Sequence, residues 1–261
     1  MPAAETIFHV EPPLAVLTFN RPEARNAMTW AMYEALLVAC DAVDGDDAVR
    51  VFVLRGAGGQ AFSAGTDISQ LQAFREPEDG ARYEQRVDDV LTRLEAVATP
   101  TIAEVEGVAA GAGCALALTC DLRVATPESK FGIPVARTLG NCVPGAAYSR
   151  LVDLAGPACA ADILLTGRLV GATEAQSMGL VNRIAPADVI GQTVRDLANE
   201  IAANAPLAVR GVKEMGRRLL ARRRLTWADT HDVMVKCYAS ADFREGVTAF
   251  LAKRPPRWTG R

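Results

Sequence analysis

The sequence predicts an α/β fold followed by an all-helical tail, and two observations carry that prediction. Up to about Ala185, short apolar runs of strand length alternate with segments of helical periodicity, the pattern of right-handed βαβ crossovers. Beyond that point "ADVIGQTVRDLANEIAANAP", "LAVRGVKEMGRRLLARRRL" and "TWADTHDVMVKCYASADFREGVTAFLAKR" read as consecutive helices with no strand between them. The expected division is a core over residues 1–195 and a helical subdomain over 196–261. With 261 residues, half of them apolar, the chain can bury a sizeable core.

Taken in order, "IFHV" and "LAVLTF" flank Glu11-Pro12-Pro13 and read as a hairpin, which ends at the turn-like "NRPEARNAM". Thr29 caps a helix running through about Val43, with Met32, Leu36, Cys40 and Val43 on one face. "VRVFVLRG" (Val49–Gly56) is a buried strand, followed by the loop "AGGQAFSAGTD" and a short helix near Ile68–Phe74. Between Gly80 and Ala98, the positions Tyr83, Val87, Val90, Leu91, Leu94 and Val97 follow helical spacing. Pro100 stops that helix, "TIAEV" is a strand, and "DLRVA" (Asp121–Ala125) is another.

Composition narrows the function classes. A net charge of −3 argues against nucleic acid or an anionic membrane as the main partner. The basic run "RRLLARRR" (Arg217–Arg224) reads as a solvated helix face or a subunit contact, because no aromatics interleave it. No apolar run approaches the roughly 20 residues that span a bilayer. The N-terminal segment lacks the basic and apolar regions of a secretory signal, so the expected compartment is the cytoplasm. Six scattered cysteines without a CxxC pair read as reduced thiols. With only His9 and His231, neither near a cysteine, no metal site is expected.

Two loops share one design. "FSAGTDI" (Phe62–Ile68) and "GVAAGAGCA" (Gly107–Ala115) each follow a strand, contain glycine and precede a helix. Glycine lets backbone approach a ligand closely, and the first helical turn presents open N–H groups at a positive dipole end. Two such loops, converging from neighbouring strands, place two donors on one oxygen, an oxyanion hole made without side chains. The alternative is that both are tight strand–helix turns packed with small residues.

Five segments then carry a resemblance. "RPEARNAM", "AFSAGTDI", "EGVAAGAGCALALTCDLRVATPESKFGIP", "LLTGRLVGATEAQSMGLVNRI" and "REGVTAFLAKRPPRW" are similar, in order and spacing, to segments of the crotonase superfamily, the enoyl-CoA hydratase/isomerase family. The likeness spans essentially the whole chain. It implies a spiral of ββα units, a helical trimerisation subdomain, and a homotrimer or dimer of trimers. It also implies an acyl-CoA thioester as substrate, coenzyme A being part of that substrate and no cofactor being needed. Carried onto this chain, the hole donors are the N–H groups of Thr66 and Ala112, where relatives usually have glycine at the second position. The implied CoA-contacting segments are Glu23–Ala27, with Arg25 and Ala27, and Ala64–Ile68, with Ala64, Gly65, Asp67 and Ile68. Lys253 resembles a residue that reaches the nucleotide end of CoA, and Arg25 and Lys253 are candidate phosphate partners, each otherwise an exposed surface charge.

One departure from the family stands out. Hydratases of this family use two glutamates to hold water and move protons. The matching positions here are Ala115 and Val135. The following loop, "ARTLGNCVPG", contains no acid and offers Arg137, Thr138, Asn141 and Cys142. Arg137 binds an anionic acyl substituent or points to solvent. Asn141 positions water or a carbonyl, or serves a turn beside Gly140. Cys142 reads better as a buried structural thiol than as a nucleophile, having no local histidine. Asp67 and Asp121 look structural. Glu84 and Asp88 default to a solvated helix face, and Glu104 to the outward side of its strand. Three readings follow: a hydratase or isomerase with an acid/base recruited from an unusual position; a decarboxylase or hydrolase of a carboxylated or branched acyl-CoA using Arg137; or a non-catalytic acyl-CoA-binding subunit.

Overall fold

The computed structural model describes residues 4–261. Met1–Ala3, the start of the N-terminal segment and of the core as divided above, lie outside the described residues. Strands β1 (Thr6–Glu11) and β2 (Leu14–Phe19) form the expected antiparallel hairpin. Helix α1 (Trp30–Asp44) then crosses over so that β3 (Val51–Gly56) pairs parallel with β2. The Thr29 hydroxyl accepts the Met32 N–H and caps that helix as its sequence predicts.

Three ββα units follow. The first is β3, β4 (Ala61–Ser63) and α2 (Pro77–Ala96), with a 3-10 turn at Ile68–Ala73 between strand and helix. The second is β5 (Thr101–Val105), β6 (Val108–Ala110) and α3 (Ala112–Thr119). The third is β7 (Leu122–Ala125), β8 (Lys130–Gly132) and α4 (Val135–Thr138). In each unit the first strand joins the larger sheet and the second joins a smaller one. The chain continues through α5 (Gly145–Thr166), β9 (Val170–Gly171), α6 (Ala172–Ser177), β10 (Arg183–Ile184) and four further helices. These are α7 (Ile190–Ala202), α8 (Pro206–Ala221), α9 (Trp227–Ala239) and α10 (Ala241–Leu251). The larger sheet has the order β1-β2-β3-β5-β7-β10 and the smaller β4-β6-β8-β9. This is the spiral implied by the resemblance.

The continuous apolar run of β3 is explained by burial on both faces. Phe52 and Leu54 enter the main core, whereas Val51 and Val53 join Ile102 and Val124 in a second cluster under α7. The division drawn between residues 195 and 196 falls inside α7. Ile190 and Val194 before it, and Leu197 and Ala198 after it, all pack on that sheet. Helix α2 starts three residues before the Gly80 of the sequence reading. Pro77 occupies its first turn, and Glu76 and Asp79 form a capping box, a start signal of the kind that lies upstream of the apolar stripe.

Arg123 ties the second and third units together from inside. Its side chain is 2% exposed and donates to the carbonyls of Leu180 (2.6 Å), Cys120 (2.5 Å) and Ala117 (3.4 Å). Four of the five arginines of the "RRLLARRR" run pair within the chain: Arg217 and Arg218 with Glu214, Arg223 with Asp153, and Arg224 with Glu95 and Asp153. All six cysteines are free thiols. No helix among the described residues is long and apolar enough to cross a membrane.

Candidate active site

The segment Arg25–Met28 runs alongside Ala64–Asp67. Ala64 N–H donates to Arg25 O (3.0 Å), Met28 N–H to Gly65 O (2.8 Å) and Asp67 N–H to Met28 O (3.0 Å). The Arg21 guanidinium clamps both strips, reaching Ala27 O at 2.7 Å and Asp67 Oδ2 at 3.1 Å. Partial burial pushes the Asp67 carboxyl up, but hydrogen bonds from Ser69 and Arg21 outweigh it and hold the pKa below the ordinary value. Asp67 is therefore a fixed anion engaged in structure, as its sequence suggests.

The two glycine-bearing loops meet backbone to backbone. Gly65 (φ 99°) immediately precedes Thr66, and Gly111 (φ 54°, ψ −127°) immediately precedes Ala112. Both conformations favour glycine. A Cβ placed on Gly65 would lie 3.0 Å from Ala110 O and 3.4 Å from Ala112 N, so a side chain there would wedge the loops apart. The N–H groups of Thr66 and Ala112 meet no acceptor among the described residues, and Ala112 opens the eight-residue helix α3. The Thr66 hydroxyl is held by those of Tyr33 (3.1 Å) and Tyr83. Burial raises both tyrosine pKa values, so each keeps its proton for these bonds.

These loops face a cavity of about 540 Å³. Ten of the sequence-derived site residues line it: Arg25, Ala27, Ala64, Gly65, Thr66, Asp67, Ile68, Ala112, Asn141 and Cys142. Arg137 and Lys253 do not. Arg137 is exposed on α4 with its stem against Gly167, because the single turn of α4 directs it away from the cavity. Lys253 is exposed just past α10, while Phe250 and Leu251 of that helix reach the cavity wall. Ala115 and Val135 both line the cavity.

Glu84 reverses its sequence reading. It is 8% exposed and lines the cavity, because α9 packs across α2 and covers that face. Its Oε1 accepts from Tyr238 Oη (2.6 Å) and from Asn141 Nδ2 (3.3 Å). Asn141 is thus a cavity residue bonded to two side chains rather than a turn residue. Burial first, and the nearby Asp88 in addition, push the Glu84 carboxyl up to about 7 against the pull of those two hydrogen bonds. A signal was present in the sequence: Gly80, Glu84, Val87 and Leu91 fall at i, i+4, i+7 and i+11, on the buried stripe itself. Asp88 pairs with buried Arg150 at 3.6 Å. Glu104 is likewise buried, since β5 lies inside the larger sheet with both faces covered.

The Glu84 shift has a sign that can be measured. Folding raises the pKa from its ordinary 4.5 to about 7, so the folded state holds the proton more tightly. That contribution is complete below 4.5 and is lost as pH rises through about 7. Glu84→Gln is therefore expected to be more stable than the parent at about pH 8, by up to about 3 kcal/mol, with the gap closing toward about pH 4.5. Urea unfolding of both proteins at the two pH values measures it. A gap that does not change with pH contradicts the assignment.

Two sheets threaded by ββα turns around an apolar cavity define a crotonase-fold, acyl-CoA-acting enzyme. The chain belongs to the enoyl-CoA hydratase/isomerase family, whose model matches residues 10–261. It is 38% identical over 251 residues to a putative enoyl-CoA hydratase of Thermus thermophilus, covering 94% of this chain and 97% of that one. A crystal structure of an enoyl-CoA hydratase/carnithine racemase from Magnetospirillum magneticum superposes with a TM-score of 0.80 at 33% identity, covering 100% of this chain and 97% of that one. A methylmalonyl-CoA decarboxylase in complex with 2-nitronate-propionyl-CoA superposes at 0.89 with 24% identity and full coverage of both chains, a likeness of fold alone.

Proposed function

We propose that this enzyme seats the thioester carbonyl of an acyl-CoA between the N–H groups of Thr66 and Ala112 and stabilises the enolate that forms there. The observation that supports it is the pair of open amides, each preceded by a positive-φ glycine, at the wall of one cavity. A donor aimed at developing charge in a dry site is worth about 3 kcal/mol of barrier. Coenzyme A enters as part of the substrate, with exposed Arg25 at the rim as the first phosphate partner and Lys253 as a second from beyond α10. Ala115 and Val135 supply no carboxylate to the cavity, which supports a reaction other than water addition by two glutamates. The decarboxylase or hydrolase reading draws on a cation such as Arg137 at the substrate, and the exposed position of Arg137 outside the lining does not support that role.

Assembly as a homotrimer belongs to the same reading. Helix α8 exposes Leu207, Val212, Met215 and Leu219 along one face, apolar surface that a second copy would cover.

Calorimetric titration with an enoyl-CoA thioester and with the corresponding free acid tests the proposal. A saturable isotherm for the thioester, and at least about tenfold weaker binding of the acid, is expected. No saturation by thioester up to about 1 mM overturns it.

A further inference from the structure

The cavity carries two carboxylates among its described lining residues, Asp67 and Glu84. Asp67 is committed to Arg21 and Ser69. Glu84 is not committed in this way. The Asn141 amide donates to Tyr238 Oη at 2.8 Å, and that hydroxyl donates to Glu84 Oε1 at 2.6 Å. Both bonds fall on or lead to Oε1. Oε2 has no partner among the described residues and is not sealed off from the cavity.

The arrangement around this carboxyl is built for close approach. A Cβ on Gly80 would lie 2.0 Å from the Tyr238 ring, so only glycine at that turn of α2 lets α9 come near enough for the hydroxyl to reach Glu84. The Tyr238 ring is braced edge-on by Phe243, with centroids 4.5 Å apart. Thr66, whose N–H is one of the two proposed donors, is bonded through its hydroxyl to Tyr83, the residue next to Glu84. One helix thus holds both the loop proposed to polarise the carbonyl and the only uncommitted carboxyl among the described lining residues.

Resting on the thioester reading above, we propose that Glu84 is the catalytic base and acid of this enzyme, with Tyr238 and Asn141 as positioning residues. Oε2 takes a proton from the carbon next to the thioester carbonyl. The C–H electron pair moves into the carbonyl, placing negative charge on the oxygen held by Thr66 and Ala112. For a 3-enoyl thioester the resulting dienolate collapses by accepting the same proton from Glu84 at its γ-carbon. The double bond moves to the 2-position, and no water, reductant or second acid is consumed. A single carboxyl with nothing at positions 115 and 135 suits proton relocation on unsaturated acyl chains. A carboxyl poised near neutrality exchanges protons efficiently in both directions.

Besides burial, the groups that act on its titration are Tyr238 and Asn141, whose hydrogen bonds lower it, and Asp88, which raises it, none of them a cation. The Glu84 charge in turn raises Tyr33, Tyr83, Tyr238 and Cys142 around it. The Tyr238 and Asn141 donors are therefore what holds the ionised form within reach, and their removal has a predictable direction.

The test is proton NMR in heavy water with an enoyl-CoA thioester, following deuterium uptake at the acyl carbons and movement of the double bond. Glu84→Gln is expected to lower the exchange rate by about 10²–10⁴-fold while still binding the thioester. Tyr238→Phe is expected to move the acidic limb of the pH–rate profile upward by roughly one unit, a change that loose packing alone does not produce. Exchange by Glu84→Gln within about threefold of the parent overturns the assignment, and an unmoved limb in Tyr238→Phe overturns the positioning roles. Should Glu84→Gln not bind the thioester, the Tyr238→Phe limb alone decides. A parent that binds the thioester but exchanges no proton overturns this inference and leaves the binding proposal standing, whereas a parent that binds none removes both.

Discussion

Gly111→Ala is expected to lower thioester turnover by about 10²–10³-fold while leaving the fold intact. At φ 54° and ψ −127° the residue occupies backbone space that costs an L-residue about 1–3 kcal/mol. Room is not the obstacle, because the nearest atom to an added Cβ is Gly65 Cα at 3.8 Å, an ordinary contact. The strain is relieved most cheaply by rotating the adjoining peptide, which carries the Ala112 N–H away from the carbonyl it is proposed to bind. Gly156→Ala supplies the control. Gly156 also has positive φ (77°) with open space around it, but it lies at the kink of α5 and outside the cavity lining. It is expected to lower stability and leave kcat/KM unchanged. Equal turnover in both variants would sink the role given to the Ala112 amide.

Arg123→Met is expected to destabilise the enzyme by about 3–5 kcal/mol, read by urea unfolding or as a Tm drop of roughly 10 °C. The carbonyls of Leu180 and Cys120 lose a close charged donor, and that of Ala117 a longer one, in a site sealed from water. Methionine restores much of the volume but none of the hydrogen bonds. The consequence reaches the cavity, because Ala117 and Cys120 form the end of α3 whose first residue is Ala112. A loss below about 1 kcal/mol would mean that the three carbonyls find other donors.

Much of the larger sheet and its helices was legible because each signal is local. The hairpin around Pro12–Pro13, the Thr29 cap, the strand at Val51–Gly56 and the helix containing Tyr83–Leu94 all declare themselves within a dozen residues. The smaller sheet was not legible. Its strands are two or three residues long, too short for any periodicity, and exist through pairing such as Ala109 with Phe131. The site divided along the same line. Glycine ahead of a helix start is a pattern read directly from "SAGTD" and "GVAAGAGCA", and the family resemblance then pointed to Thr66 and Ala112 as the donors. Glu84 was assigned to the wrong surroundings, and Arg137 was left open between an acyl substituent and solvent. The arginine's surface location depends on how a one-turn helix sits against Gly167, and the glutamate's burial on a helix far along the chain.

What the sequence by itself determined was the alternating α/β core, the helical tail, the two glycine-bearing backbone loops, and the apolar residues at 115 and 135. Each follows from residue type and spacing alone. Only the tertiary structure decided which acid belongs to the site. Glu84 stands 154 residues from the tyrosine that binds it, and its raised pKa comes mainly from burial under that distant helix. Desolvation is a sum over neighbours brought together by folding, and no window of sequence contains that sum.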